Sequence, residues 1–372
     1  MRFSKDTLTN LDIFLGDKCN LKCIHCPCWL ERNPLELEPA LLWDRVAEAH
    51  EYVQNRCARF DRSMLIGGEP FSHPGLAEFL QHQTFTTYIT VYTNFAHEIP
   101  EYDWPENVHF ITSMDAADEA TYLRTRRTKD FPLVHRNLLR NAPWIIHADT
   151  TVSQLNYQSL DDILALSRRI GCTHWLLPID PRMIRYAADH TDDYRVRKTA
   201  DRLNAALLDD QVLTEVRAFY DRHADETRLN RFSMFWGLYV SGTKHFTDLP
   251  DYAPTIERGS VNDLDGCPAG ERYLEITFDD TGRFVPVLYC PDLIRRFPKH
   301  TVPSFARFSE LIDWLTEQYQ VADCSTFCGR TQFLGIDEYK DRFSEVDAIR
   351  TVPLIPVAQA CSEPSRRDSS GA

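Results

Sequence analysis

LDIFLGDKCNLKCIHC, residues 11–26, runs from an apolar segment through a glycine into three cysteines. Leu11–Leu15 reads as a β-strand that ends at Gly16, so Cys19, Cys23 and Cys26 occupy the loop at its carboxyl end. Soft thiolate ligands suit iron–sulfur clusters and zinc alike. Zinc sites more often pair C-x2-C elements or add histidine, so C-x3-C-x2-C spacing favours a cluster. Three thiolates can hold a four-iron cluster and leave one iron without a protein ligand. Loops at the carboxyl ends of strands are where barrel active sites are built.

Working outward, six apolar strands alternate with helices. After 11–15 come 63–66, 88–93, 108–114, 150–155 and 174–179. Helices are expected at 39–56, 74–83, 116–141 and 160–170, the last capped by Ser159 and closed by Gly171. This order predicts a parallel sheet with helical crossovers, an α/β partial (β/α)6 TIM-like barrel. A helical stretch follows over 193–223. RYLEITFDDTGRFVPVLYC, residues 272–290, predicts a hairpin around an Asp-Thr-Gly turn, and a helix follows over 304–319. The tail beyond about 350 is rich in Pro and Ser and is expected to be disordered.

Composition narrows the class. The chain has 372 residues, 43% hydrophobic, with 41 basic and 55 acidic residues for a net charge of −14. That balance disfavours nucleic acid, whose binding draws on phosphate neutralisation. No apolar run approaches a membrane span, and the N-terminus lacks a signal-peptide core, so a cytoplasmic protein is expected. In that compartment the eleven cysteines are better read as metal ligands or catalysts than as disulfides.

The Cys19–Cys26 block, followed by Gly67-Gly68-Glu69-Pro70 after the second strand, resembles the signature of the radical S-adenosylmethionine (SAM) enzymes. The resemblance implies that Cys19, Cys23 and Cys26 hold a [4Fe–4S] cluster whose open iron binds SAM. It implies that Gly67, Gly68, Glu69 and Pro70 contact the SAM methionine moiety, the glycines by letting backbone approach the ligand. Ser113, at the end of the fourth strand, Arg124 and Asn156 match weaker SAM-binding positions of the family. Thr93-Asn94 also lies at the active end. Asp115 and Asp180 are candidate substrate contacts or bases, with helix caps as their plainer reading. Arg126, Arg127 and Lys129 read as a solvated helix face. The residue before the third cysteine is His25, where the family usually has an aromatic.

Cys267, Cys290, Cys324 and Cys328 resemble the twitch or SPASM extensions that hold an auxiliary [4Fe–4S] cluster. The expected organisation is an extension over 1–10, a radical SAM core over 11–190 and a helical connection over 191–262. A small α+β auxiliary-cluster domain over 263–345 and a tail over 346–372 complete it. Of the remaining thiols, Cys57 and Cys172 fall at the amino-terminal face of the barrel and Cys361 in the tail. Cys28 alone lies beside the cluster loop, as a candidate hydrogen donor.

The implied activity is oxidoreductase or epimerase chemistry on a small-molecule natural product such as a sugar, cyclitol or nucleoside. The electron donor would be flavodoxin- or ferredoxin-like. The short segment before the motif favours a small molecule over the alternative, a peptide or protein maturase. A non-catalytic zinc- or cluster-binding interaction protein is the reading from another class.

Overall fold

The computed structural model describes residues 8–26, 36–178, 210–223, 225–229, 273–288, 296–297 and 301–321. The expectations for Cys28, Asp180, Cys267, Cys290, Cys324, Cys328, Cys361 and the tail lie outside these residues.

Among the described residues nine strands form one sheet, in the order β7-β6-β5-β4-β3-β2-β1-β8-β9. They are β1 (Asn10–Phe14), β2 (Arg62–Ile66), β3 (Tyr88–Thr93), β4 (Val108–Ser113), β5 (Ile145–Val152), β6 (Thr173–Pro178), β7 (Thr227–Leu229), β8 (Tyr273–Phe278) and β9 (Phe284–Val287). Strands β1 to β8 pair in parallel, and only β8 with β9 is antiparallel. This is the expected α/β partial barrel, with β1 to β6 as sequential neighbours.

The described helices cover one face. They are α1 (Pro39–Arg56), α2 (Leu76–His82), α3 (Glu119–Arg126), α4 (Phe131–Arg140), α5 (Leu160–Ile170), α6 (Asp210–Arg222) and α7 (Phe308–Val321). In α1, Leu42, Val46, Ala49 and Val53 recur at helical spacing and are buried. Burying a Val or Leu side chain contributes about 1.5–3 kcal/mol. The strands answer from the same face: Leu11, Ile13, Leu65, Ile89, Val91, Phe110, Ala148 and Leu176 are all buried.

Three local expectations are corrected. The helix expected over 116–141 is two helices. Arg127 takes a left-handed conformation at the end of α3, and Pro132 stands in the first turn of α4. Ser159 begins α5 without a side-chain capping bond, because a single 3₁₀ turn over Tyr157–Ser159 leads into the helix. Strand β5 begins at Ile145 rather than Thr150. His147 and Asp149 interrupt its apolar run, and they lie on the helix-free face.

The hairpin joins the barrel sheet itself, at the edge of β1. Leu11 pairs with Leu274 and Ile13 with Ile276. Because β8 runs parallel to β1, the outer ends of the hairpin leave the sheet at the amino-terminal end of β1. The cysteine loop leaves from the opposite end. The hairpin turn is tied by Asp279, whose Oδ1 accepts from Thr281 N and Arg283 N, and Gly282 takes a positive φ. Helix α7 packs with it on α1: Phe308 contacts Phe284 and Tyr52, and its backbone N–H donates to Glu48. Among the described residues no helix is long and apolar enough to cross a membrane.

Candidate active site

The cysteine loop leaves the carboxyl end of β1 and is gripped from three sides. From β2, Gly68 N donates to Gly16 O and Glu69 N to Lys18 O, both at 2.8 Å. From β3, Asn94 Nδ2 donates to Asn20 Oδ1 at 3.0 Å, and Asn20 Nδ2 donates to Ala96 O at 2.7 Å. From α3, Ile24 N donates to Thr125 O at 3.1 Å.

These contacts give the glycines of GGEP a reason the sequence did not disclose. A Cβ on Gly67 would lie 2.6 Å from Gly16 O, and one on Gly68 would lie 2.3 Å from Lys18 O. The glycines bring the β2 loop against the backbone that leads into Cys19. Close approach to the backbone of the cysteine loop requires both glycines.

Glu69 is buried and collects three donors. Oε1 accepts from Thr93 Oγ1 at 2.7 Å and Phe71 N at 3.0 Å, and Oε2 accepts from Asn94 N at 2.7 Å. Burial nevertheless pushes its pKa up to about 7. A buried carboxylate in this state is stabilised by a cation placed beside it. Thr93 and Asn94 thus hold Glu69, and Asn94 also ties the cysteine loop.

Burial also pushes the Cys19 thiol up to about 12 and the Cys23 thiol to about 11, despite the lowering effect of Arg126 on Cys23. Protons therefore occupy these sulfurs until a metal displaces them. N–H groups already address two of them: Leu21 N lies 3.4 Å from Cys19 Sγ, and Arg126 Nη1 lies 3.5 Å from Cys23 Sγ. Among the described residues, no three His, Cys, Asp or Glu side chains gather around one point to hold a single ion. Thiolates that bind separate irons of one cluster do not need such a point. Soft donors, N–H groups at the sulfurs and a closed loop fit a [4Fe–4S] cluster held by Cys19, Cys23 and Cys26.

Arg126 was expected on a solvated face and is instead buried. Its Nε lies 2.6 Å from Asp115 Oδ2. Asp115 caps no helix, since Asp118 caps α3 by accepting from Thr121 N. Its Oδ1 accepts from Thr151 N, and His25 Nε2 stands 3.7 Å from Oδ2. Burial pushes the His25 pKa down to about 4 although Asp115 opposes the shift, so the ring is neutral at pH 7. The helical period carried the signal that was missed: Tyr122 and Arg126, four apart on α3, are both buried.

Arg124 is the exposed arginine of the pair and donates to Thr121 Oγ1 and Leu155 O. Asn156 is buried, and both its amide atoms bond to protein. Its Nδ2 donates to Asp115 O and Thr151 O, and its Oδ1 accepts from Ser153 N. It ties the ends of β4 and β5 together. Ser113 ends β4 on the helix-free face, beside Tyr92. Cys57 ends α1 and Cys172 directly precedes β6, both at the amino-terminal ends of strands as expected.

Among the described residues no helix covers the opposite face of the sheet, which sets polar groups among Met64, Ile111 and Trp175. By strand register, Asp12, Arg62, Thr90, Tyr92, His109, Ser113, His147 and Asp149 share it. Closed TIM barrels fill this space with branched aliphatic side chains. Here Tyr92 Oη donates to Asp149 Oδ2 at 2.7 Å, and His147 Nε2 stands 3.7 Å from Asp149 Oδ1. Such a face suits a polar occupant.

No protein-family model and no curated protein matches the sequence. Solved structures do match the fold. Streptococcus suis SuiB bound to the precursor peptide SuiA superposes with a TM-score of 0.53 at 13% identity, covering 84% of this chain and 65% of SuiB. SuiB bound to S-adenosylmethionine gives 0.53 and 13%, covering 84% and 67%. The chain shares the fold of SuiB. The chain spans about two thirds of SuiB's length, and at this identity the likeness extends to the fold alone.

Proposed function

We propose that this protein is a radical SAM enzyme that abstracts a hydrogen atom from a C–H bond of a polar small molecule. The observation that carries the reading is the Cys19–Cys26 loop at the carboxyl end of β1, clasped by GGEP on a radical SAM fold. When bound, the cluster supplies the electron that cleaves SAM to methionine and a 5′-deoxyadenosyl radical. Cys19, Cys23 and Cys26 would hold it. Glu69 would accept the SAM ammonium, the cation that its buried carboxylate favours. Ser113 and Arg124, at the carboxyl end of the sheet, are the remaining candidates for SAM contacts. The polar face at Tyr92, His147 and Asp149 would orient the substrate, and oxidation or epimerisation would follow.

Cys267, Cys290, Cys324 and Cys328 would hold an auxiliary cluster. The hairpin ends next to Cys267 and Cys290 in sequence leave the sheet opposite the Cys19–Cys26 loop, which supports two separate sites. A flavodoxin- or ferredoxin-like donor in the cytoplasm completes the reading.

Anaerobic reconstitution tests it. About eight irons per chain, as two four-iron clusters, and 5′-deoxyadenosine release with SAM and reductant are expected. Stoichiometric zinc without deoxyadenosine would favour the non-catalytic reading instead. A peptide substrate is the second reading, and the SuiA-bound SuiB structure favours it. Deuterium transfer into 5′-deoxyadenosine from labelled sugars, cyclitols or nucleosides, but not from peptides, would separate the two.

A further inference from the structure

We infer that Arg126 sets the reduction potential of the cluster proposed at Cys23, with Asp115 opposing it. The inference rests on the cluster reading above and deepens it. Arg126 is 5% exposed, and its guanidinium bridges two groups of opposite consequence. Nη1 addresses Cys23 Sγ at 3.5 Å, while Nε holds Asp115 Oδ2 at 2.6 Å. The arrangement is rigid. Asp115 is fixed through Thr151 N, and the backbone of α3 next to Arg126 receives Ile24 N, adjacent to Cys23.

A cluster becomes more negative when it gains an electron. A positive charge with an N–H group at a ligating sulfur stabilises that reduced form, and a nearby carboxylate destabilises it. In a water-poor setting both effects reach the cluster with little screening. Arg126 therefore raises the potential, and Asp115 holds part of that effect in check while fixing the guanidinium in place. Arg126 is thus a positioning residue that acts through Cys23. Arg124, which faces Thr121 and Leu155, takes no part.

The test is an EPR-monitored redox titration of the anaerobically reconstituted full-length chain, following the signal that SAM perturbs. Arg126→Gln should move the midpoint potential to more negative values and Asp115→Asn to more positive ones. Arg126→Lys, which keeps the charge and loses the planar fork, should fall between wild type and Arg126→Gln. A purely structural role would give Arg126→Gln and Asp115→Asn shifts of the same sign or none. Should Arg126→Gln not fold, Arg126→Lys and the double variant Arg126→Gln/Asp115→Asn carry the comparison. The double variant removes both charges and should lie below Asp115→Asn alone. A wild-type chain that takes up no cluster overturns both this inference and the reading beneath it. A wild-type cluster whose potential ignores these substitutions overturns this inference alone.

Discussion

A methyl group on Gly68 would stand 2.3 Å from the Lys18 carbonyl oxygen and 2.7 Å from that of Asp17. Both atoms are backbone, so nothing nearby can rotate away. Gly68→Ala should cost about 1–3 kcal/mol, the usual range for overpacking, measured by denaturant unfolding of the apo chain. It should also reduce the iron retained after reconstitution, because the displaced segment leads into Cys19. Glu69 gives a second residue-scale prediction. Glu69→Gln removes the buried charge and turns one acceptor oxygen into an NH2 that faces a buried donor, so it should cost about 1–3 kcal/mol of stability and weaken SAM binding, read by isothermal titration of the reconstituted chain. Unchanged affinity would exclude Glu69 as the ammonium partner. The motif that names GGEP was legible in the sequence. Its packing against Gly16–Lys18 was not, because that contact joins two loops through strand pairing of β1 with β2.

At the scale of elements, α3 is short and carries much of the site. It supplies Arg126, and its Thr125 carbonyl receives Ile24 N. The helix starts at Asp118, whose side chain accepts from Thr121 N. Asp118→Ala should cost about 1 kcal/mol of stability. Hydrogen exchange at the Ile24 amide should quicken, while amides of β3 stay protected. Strand β5 illustrates the limit of pattern reading. Its outward positions, Ala148, Thr150 and Val152, are buried in the expected way. Its inward positions, His147 and Asp149, look like loop residues until β3 and β6 provide Tyr92 and Trp175 as company. Periodicity detects a strand by its apolar face, and a polar chamber removes half of that signal.

For the whole molecule, buried histidines make stability depend on pH, among them His50, His109 and His174. His50 bridges Ser63 Oγ and Thr87 Oγ1, His174 bonds Thr150 Oγ1, and His109 lies on the inner face against Tyr88. Burial lowers each pKa from 6.5 to about 4. The unfolded chain therefore binds protons between about pH 6.5 and 4 that the folded chain refuses, and stability falls as pH falls through that window. Each group contributes about 1.4 kcal/mol per pH unit there. Glu69 acts oppositely, since its folded pKa is raised to about 7 and favours the folded state on acidification. The net expectation is acid-induced loss of stability beginning near pH 6.5, followed by thermal melts of the apo chain. A melting temperature flat from pH 7 to 5 would contradict it. The C-terminal elements belong to the same cooperative unit through Phe308, which is fully buried between Phe284 and Tyr52. Phe308→Ala should cost about 3–5 kcal/mol and expose the β1–β8 edge to exchange.

What the amino-acid sequence determined by itself was the order of strands and helices, the parallel class and the place of the cysteine loop after β1. Those follow from local pattern: apolar runs of strand length, helical spacing in α1 and thiols at C-x3-C-x2-C. Tertiary structure alone decided that the 273–287 hairpin completes the β1 edge, that Arg126 rather than Arg124 is buried, and that the glycines of GGEP serve the cysteine loop. Each of those facts joins residues far apart in the chain. Their energies come from packing, desolvation and ion pairing between elements, and these exist only once the sheet has formed.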